Sequence, residues 1–291
     1  MQNKKSASIG DRLFAALLYI LPHHFLSRIM LRLTRIEIRW FKNFAIHHYI
    51  KRLNVDLSQA QIDDYRQFKS LNDFFTRALK PSARPVAQSP NIVCPVDGSV
   101  SEIGQIQDEQ IFQAKGHSYS LEDLLGGSPE RASYFRNGSY ATLYLSPRDY
   151  HRIHMPAKGH LMEMLHIPGR LFSVSPSTVR TVPNVFARNE RVVTNFRTAH
   201  GPMAVIMVGA IFVGSIETTW ADVITPPAGR HMRQWSYDAV AQITIERGIE
   251  MGRFNMGSTV VLLFAEGKVQ WDEKLCTGSK IQMGQSLGVF N

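Results

Sequence analysis

The chain has 291 residues, of which 44% are hydrophobic and 20% are charged. This composition excludes intrinsic disorder and supports a sizeable hydrophobic core. Two cysteines, Cys94 and Cys276, exclude a disulfide scaffold and a four-cysteine zinc site. The formal net charge of +9 favours an anionic partner, either nucleic acid or an acidic membrane surface.

The positive charge is concentrated near the start of the chain. Residues 1–52 contain ten Lys and Arg side chains but two Asp and Glu side chains, so this segment carries +8 and the rest is almost neutral. We therefore predict a basic N-terminal region followed by a nearly neutral domain.

The first apolar segment, Leu13 to Leu21, is nine residues long and ends at Pro22. It is too short to cross a bilayer, which takes about 20 residues. No small-residue cleavage pattern follows, and a second amphipathic segment continues directly. The pattern therefore favours a retained helix over a signal peptide.

The second segment, Leu26 to Phe44, is predicted to form one amphipathic helix. At about 100° per residue its basic side chains fall within an arc of about 80°, and they are Arg28, Arg32, Arg35, Arg39 and Lys42. We expect this face to contact an anionic membrane surface. The alternative is a helix packed on its own protein with a solvated cationic face. Nucleic acid is disfavoured, because the aromatic residues lie opposite the basic face.

The remaining pattern predicts an α+β fold, with N-terminal amphipathic helices followed by a mostly antiparallel β-rich catalytic domain. Residues 56–79 are predicted helical, with Ser70 as a helix N-cap. A boundary near Ala83-Arg84-Pro85 divides a helical region, 1–80, from a domain, 81–291. The predicted strands are Ser99–Ile103, Tyr140–Leu145, His160–His166, Arg191–Phe196, Met203–Ile216, Val240–Ile245, Thr259–Phe264 and Ile281–Phe290.

Three local patterns have side chains that could carry chemistry, although each has an ordinary structural interpretation. Asp97-Gly98 is typical of a hairpin turn. His151 and His154 flank an arginine and precede Pro156, but they lack metalloenzyme spacing and could be structural. Gly257-Ser258-Thr259 precedes an apolar strand and could be a simple turn.

Together the motifs resemble the phosphatidylserine decarboxylases, which are pyruvoyl-dependent proenzymes of phospholipid synthesis. The resemblance covers most of the chain, and its motifs occur in family order. They are Asn72-Asp73-Phe74-Phe75-Thr76-Arg77, Pro95-Val96-Asp97-Gly98, His151-Arg152-Ile153-His154-Met155-Pro156, Pro168-Gly169-Arg170-Leu171-Phe172-Ser173-Val174, Phe186-Ala187-Arg188-Asn189-Glu190-Arg191, Val213-Gly214-Ser215-Ile216 and Gly257-Ser258-Thr259. The chain departs from the family at Met256, where leucine is usual, and at Ser175-Pro176, where asparagine often follows the preceding motif.

The resemblance implies self-cleavage between Gly257 and Ser258. The Ser258 hydroxyl would attack the Gly257 carbonyl, with His154 as its base and Asp97 orienting that histidine. Elimination and hydrolysis would then leave a pyruvoyl group in place of Ser258. The products would be a β chain, 1–257, and an α chain, 258–291.

The resemblance also implies the catalysed reaction. The pyruvoyl ketone would form a Schiff base with the amine of phosphatidylserine, carbon dioxide would leave, and His151 would protonate the carbanion before phosphatidylethanolamine is released. Ser173 would help to hold the head group. No metal is implied. The family further implies a homodimer of cleaved protomers that lies peripherally on the cytoplasmic face of the cell membrane.

Two other functions stay open from the residues alone. One is a metal-dependent hydrolase that uses His151, His154 and a carboxylate. The other is a non-enzymatic membrane adaptor or carrier, because Pro-Val-Asp-Gly turns also occur in biotinyl-like and phosphocarrier β-domains.

Overall fold

The computed structural model describes residues 7–114, 116–212, 215–226, 231–237, 242–255 and 258–291. The α-helices are α1 (Ile9–Ile20), α2 (His23–Thr34), α3 (Arg39–Leu53), α4 (Leu71–Phe75), α5 (Leu121–Leu124), α6 (Pro129–Ser133), α7 (Pro176–Val179) and α8 (Val185–Arg188), with a 3₁₀ turn at Tyr65–Gln67.

The strands follow mainly from residue 91 onward. They are β1 (Asn91–Val93), β2 (Gly98–Gln105), β3 (Gln110–Ala114), β4 (His117–Ser120), β5 (Ser139–Tyr144), β6 (Arg152–His154), β7 (Gly159–Ile167), β8 (Arg191–Thr198), β9 (Gly201–Val208), β10 (Ile216–Thr218), β11 (Asp222–Val223), β12 (Arg233–Ser236), β13 (Thr244–Ile245), β14 (Glu250–Phe254), β15 (Thr259–Phe264), β16 (Val269–Trp271), β17 (Lys280–Ile281) and β18 (Ser286–Phe290). The α+β class with helices first and antiparallel strands after them is confirmed.

The largest sheet among the described residues has nine strands, in the order β12-β7-β8-β9-β15-β5-β2-β17, with β13 pairing beside β12 on β7. β15 lies in its interior, antiparallel to β5 on one side and to β9 on the other. All six residues of β15 are buried. This strand is continuously apolar from Val260 to Phe264, which is the pattern of a strand covered on both faces.

A four-stranded sheet, β11-β10-β14-β6, lies beside the large one. β5 leads into β6, and β14 leads into β15, so these are two of the connections that join the sheets. The backbone N–H of Leu145, on the first connection, donates to the carbonyl of Ser258, on the second, at 2.9 Å. This bond joins the two connections, and the predicted site residues lie around this junction of the two sheets.

The predicted continuous helix from Leu26 to Phe44 is wrong. The chain forms α2 and α3 with a break at residues 35–38. Arg35 at the break reaches the Ser215 hydroxyl and the Glu217 carboxylate, each at 3.5 Å. These long-range contacts and the β-branched Ile36 and Ile38 oppose a straight helix. α1 ends before Pro22 as predicted, and the Ser8–Asp11 capping box begins it.

The predicted helix over residues 56–79 is also mostly wrong, because only the 3₁₀ turn and α4 are helical there. Asp56 and Asp64 accept hydrogen bonds from backbone N–H groups two residues later, and such turns compete with helix. The Ser70 cap is confirmed, since its hydroxyl accepts the Asp73 N–H. This segment and α3 form a second, smaller core, which includes the buried residues Ile46, Val55, Phe68 and Phe74.

Most strand predictions are confirmed within a residue or two. The predicted single strand Met203–Ile216 is too long, because β9 ends at Val208 and β10 begins at Ile216. The run Ile281–Phe290 is interrupted at Gly284, whose φ of +87° and close approach to the Pro85 carbonyl admit no side chain. In the predicted strand Val240–Ile245, Thr244–Ile245 is observed, and residues 240–241 lie outside the described part.

No single helix of the described chain has the length and apolar composition needed to cross a bilayer. α1 and α2 satisfy those criteria as a pair, and their axes are bent by 87° at the break between them.

Candidate functional site

Ser258 immediately precedes β15 and is completely buried. Its backbone carbonyl is held by Leu145, whereas its hydroxyl oxygen has no hydrogen-bond partner among the described residues. A buried hydroxyl without a partner is uncommon in folded proteins and is costly to maintain. Gly257, the other predicted cleavage residue, and Met256 lie outside the described residues.

His154 ends β6 and is hydrogen-bonded at both ring nitrogens. Nδ1 lies 2.9 Å from the carbonyl oxygen of Gly248, and Nε2 lies 2.9 Å from the hydroxyl of Tyr150. A carbonyl can only accept, so Nδ1 carries the proton and the Nε2 lone pair accepts the Tyr150 O–H. Burial lowers the pKa of His154 below its usual value. The ring is therefore a neutral base with its lone pair at Nε2.

Asp97 does not contact the His154 ring in this structure. Its carboxylate receives two N–H groups of Arg84, one of them at 2.5 Å, and the backbone N–H of Met283 at 2.8 Å. The predicted orienting role is taken here by Gly248. Asp97 still lies close enough for its charge to raise the pKa of His154 and so partly oppose the effect of burial.

No hydrogen bond joins the side chains of Asp97, His154 and Ser258 to one another. Their backbones are nevertheless tied to the same small region, because the His154 N–H donates to the Pro95 carbonyl two residues before Asp97. Sequence reasoning missed the partners that complete this arrangement. Tyr150 is adjacent to the histidine motif, and Arg84 had been assigned only to a domain boundary.

His151 lies at the start of the same segment and is fully buried. Its ring stacks on Phe75 with centroids 3.9 Å apart, and in the described ranges neither ring nitrogen has a hydrogen bond of ordinary geometry. Burial, reinforced by the positive charge of Arg77, lowers the pKa of His151 to about 3. The imidazole of His151 is therefore neutral in this structure.

An apolar cavity of about 730 Å³ lies between the N-terminal helices and the junction of the two sheets. Its walls come from α1, α3, the end of β5 and the loops around residues 173 and 211. Leu145, which bonds Ser258, and Phe75, which stacks on His151, are both in the wall. Ser173 also lines this cavity, and its hydroxyl accepts the N–H of Ser175 at 3.2 Å.

A second cavity, of about 370 Å³, is polar and lies near Asp97 and Tyr150. Charged side chains line it, including Arg77, Arg84 and Asp149. The site is therefore bordered by an apolar cavity and by a polar one, which suits a reaction on the polar group of an amphiphile.

Asn255, three residues before Ser258, is buried and anchors the approach to β15. Its Oδ1 accepts from Asn72 Nδ2 at 3.0 Å, and its own Nδ2 donates to Ser215 and Glu217. The contact explains why the Asn72 motif, distant in sequence, accompanies the Ser258 motif. The hydrogen bonds of Asn255 position the backbone that leads to Ser258 and do not contact the Ser258 hydroxyl.

The predicted membrane-contact residues divide into two groups. Arg28, Arg32 and Arg39 are exposed. Arg35 is engaged with Ser215 and Glu217, as described above. Lys42 is buried, and its ammonium donates to the carbonyl of Arg66 at 2.8 Å. The prediction that Lys42 faces a membrane is therefore wrong for this fold.

The described residues contain no group of three or more His, Cys, Asp or Glu side chains arranged to hold a metal ion.

Comparison with known proteins gives the same family as the motifs. The phosphatidylserine decarboxylase family profile matches residues 71–289, and a second profile, PSD, matches residues 13–53. The chain is 51% identical over 282 residues to the phosphatidylserine decarboxylase proenzyme of Bordetella pertussis, covering 96% of this chain and 95% of that protein. It is 51% identical to that of Ectopseudomonas mendocina (96% and 98% covered) and 50% identical to that of Pseudomonas putida (95% and 97%). With this agreement over nearly its whole length, the chain belongs to the phosphatidylserine decarboxylase family.

Proposed function

We propose that this decarboxylase makes its own electrophile from Ser258 and uses it to convert phosphatidylserine to phosphatidylethanolamine and carbon dioxide. The observation that carries the proposal is the fully buried Ser258 hydroxyl at the start of a central strand, which has no hydrogen-bond partner among the described residues. A purely structural serine at such a position is expected to bond a neighbouring carbonyl.

In the proposed self-cleavage, the Ser258 oxygen attacks the carbonyl carbon of Gly257 and loses its proton to Nε2 of His154. The peptide bond is thereby exchanged for an ester. β-Elimination breaks the ester and leaves the carboxylate of Gly257, and hydrolysis of the remaining enamine releases ammonia. The lone pair that the base needs is on Nε2, which now accepts a hydrogen bond from the Tyr150 hydroxyl. This hydrogen bond must therefore break before His154 can take the serine proton.

Asp97 is proposed to assist from a distance. Its negative charge favours the protonated form of His154 that arises as the serine reacts. Its bonds to Arg84 and Met283 fix it in a buried position, and the carbonyl of Gly248 fixes the tautomer.

The surroundings of Ser258 fit a pyruvoyl group. The position is buried, its backbone carbonyl accepts the N–H of Leu145, and within the described part of the chain the serine oxygen has no competing hydrogen-bond partner. A pyruvoyl group there would supply a ketone for the substrate amine and an acceptor for the electrons that carbon dioxide leaves behind. Neither ring nitrogen of His151 has a hydrogen bond of ordinary geometry to a described residue, and we assign to this ring the delivery of the proton to the product carbon.

The apolar cavity is proposed to admit the lipid, with Ser173 as a polar contact for its head group. Helix side chains that line the cavity continue onto an exposed apolar surface, where Phe44 is 70% exposed and Trp40 is 73% exposed. Transfer of a diacyl lipid into water is costly, at about 0.8 kcal/mol per CH₂. A peripheral enzyme with this surface on the anionic cytoplasmic face of the membrane avoids that cost, and Arg28, Arg32 and Arg39 would attract phospholipid head groups.

Three further assignments belong to the proposal. The chain is divided into a helical membrane-associating region, 1–80, and a decarboxylase domain, 81–291, in keeping with the separate small core of residues 46–74. The functional unit is a homodimer. Each protomer consists of the two fragments of one precursor.

The deciding experiment compares the wild-type chain with Ser258→Ala by intact-mass measurement. The wild type should yield two fragments, the smaller comprising the 34 residues 258–291 with a ketone in place of its terminal amine. Ser258→Ala should stay a single inactive chain. Ser286→Ala is a matched control, since that serine lies in β18 and should not affect cleavage. A fully active, uncut wild-type chain would refute the proposal.

Membrane binding is tested separately with vesicles that contain phosphatidylserine. Trp40→Glu and Phe44→Glu together should weaken sedimentation with the vesicles, because both rings are exposed and apolar. Tyr134→Glu is the control, since this exposed ring lies beside α6, away from the apolar cavity. Equal sedimentation of the wild type, the double variant and the Tyr134→Glu control would refute the assignment of this surface to membrane binding.

A further inference from the structure

Arg77 is a buried cation without a carboxylate partner among the described residues. The residue is only 6% exposed to solvent. One guanidinium nitrogen, Nη2, donates to the carbonyl oxygen of Arg148 at 3.2 Å, while Nε has no hydrogen-bond partner. The nearby ring of Phe74, 5.5 Å away, and the negative charges of Asp97 and Asp149, which form no ion pair with Arg77, offer partial compensation. A buried, unpaired charge is costly, so its presence calls for an anion.

Arg77 lines the polar cavity of about 370 Å³. The rim of this cavity includes two exposed cations, Arg148 and Lys280, which likewise have no carboxylate partner in the described ranges. The cavity is therefore a pocket with a buried cation in its wall and further positive charge at its entrance.

The acidic groups of the same cavity are already engaged. Asp97 is bonded to Arg84 and Met283. Asp149 accepts the N–H and hydroxyl of Ser146, each at 2.7 Å. Asp56 accepts the N–H and hydroxyl of Ser58. None of these carboxylates forms a hydrogen bond or an ion pair with Arg77. Beside the bond from Nη2 to Arg148, the Nε donor has no partner among the described residues and is available to an oxyanion.

We propose that this cavity is a binding site for a small oxyanion, of carboxylate or phosphate chemistry, held by Arg77. The anion could be part of a phosphatidylserine head group or a free phosphate; only the head-group source rests on the proposed function. A bound anion would also offset the charge that Arg77 exerts on His151, and so would raise the pKa of that histidine when substrate is present.

The test uses the full chain carrying Ser258→Ala, so that it requires neither cleavage nor turnover. Three probes are titrated by calorimetry: inorganic phosphate, glycerophosphoserine and glycerophosphoethanolamine. At least one should bind, and Arg77→Met should weaken it by roughly 10- to 100-fold, which is the loss typical of a charge-assisted hydrogen bond. Arg136→Gln is the control, because Arg136 is exposed and pairs with Glu109 elsewhere.

The probes distinguish the sources of the anion. Tighter binding of glycerophosphoserine than of glycerophosphoethanolamine, with the difference removed by Arg77→Met, supports the carboxylate of the head group. Equal binding of the two, with competition by phosphate, supports a phosphate site. Absence of binding by all three at tens of millimolar overturns the proposal, even if the chain proves to be a self-cleaving decarboxylase.

A thermal measurement separates an anion site from a structural role. Without anion, Arg77→Met should melt at the same temperature or higher, because it removes an unpaired buried charge. The probe that binds in the titrations should raise the melting temperature of the parent and not of the variant. A large loss of melting temperature with an unchanged anion response would overturn the assignment. If Arg77→Met does not fold, Arg77→Lys keeps the charge but loses the fork, and weaker anion binding by this variant is the expected result.

Discussion

The hydroxyl of Tyr150 donates to the ring nitrogen of His154 that the proposed self-cleavage needs as its base. Tyr150→Phe removes this hydroxyl and leaves the ring in place. The carbonyl of Gly248 continues to hold Nδ1, so the tautomer is unchanged. The variant therefore presents Ser258 with a neutral histidine whose lone pair is free.

The size of the effect follows from the lost hydrogen bond. A tyrosine–histidine bond of 2.9 Å between neutral groups is worth about 1 kcal/mol net. Releasing Nε2 removes that amount from the barrier to cleavage, and 1.4 kcal/mol is a factor of ten. Self-cleavage should accelerate by about fivefold. The folded state loses the same bond, so the melting temperature should fall by about 2–4 °C.

The assay follows freshly synthesised precursor by denaturing electrophoresis and measures the rate at which full-length chain disappears. Tyr140→Phe is the matched control, because it removes a buried tyrosine hydroxyl that bonds Phe112 away from the site. It should cleave at the wild-type rate. Slower cleavage by Tyr150→Phe would refute the reasoning and would make the hydroxyl a participant in proton transfer.

Three other predictions test the same site. The rate constant of self-cleavage should stay level from pH 8 to about 6.5 and fall in more acidic solution, because burial puts the pKa of His154 below that of a free histidine. The decay of the precursor is measured over a pH series. A rate that falls to half its maximum above pH 6.5 would contradict this prediction. His151→Ala should be cleaved normally but should form phosphatidylethanolamine at least ~100-fold more slowly, as measured with radiolabelled lipid. Turnover at the wild-type rate would refute the assigned role of His151 in protonation. Asp97→Asn should lower stability by about 3–5 kcal/mol in chemical denaturation, because Arg84 is left without its buried partner, and should slow cleavage; an unchanged midpoint would contradict the pairing.

The parts of the fold that could be predicted are those where local pattern and burial agree. β15 is a run of apolar, mostly β-branched and leucine side chains between turns, and the structure buries it completely. α1 has a capping box at its start and a proline after its end. The helix break after Arg35 could not be predicted in this way, because it depends on Glu217, which is distant in sequence.

In the candidate site, too, the residues with a local sequence pattern could be predicted, and those that depend on distant contacts could not. Ser258, His151 and His154 could be identified from motifs, since each belongs to a short continuous pattern. The groups that contact them could not. Gly248 acts through a backbone carbonyl, which leaves no residue-type signal, and Arg84 reaches Asp97 from a segment whose composition indicates only a boundary.

The central position of β15 limits the working life of each molecule. Six of its residues pair with β5 and with β9, so removal of this strand would divide the large sheet into two halves. A C-terminal fragment produced by the proposed cleavage could therefore not be exchanged for a fresh one without unfolding the protein. Under the proposed mechanism the ketone is made once, from Ser258, and the peptide bond before it is broken in the process. Chemical damage to that ketone would then be permanent, and the cell could restore the activity only by synthesising a new precursor.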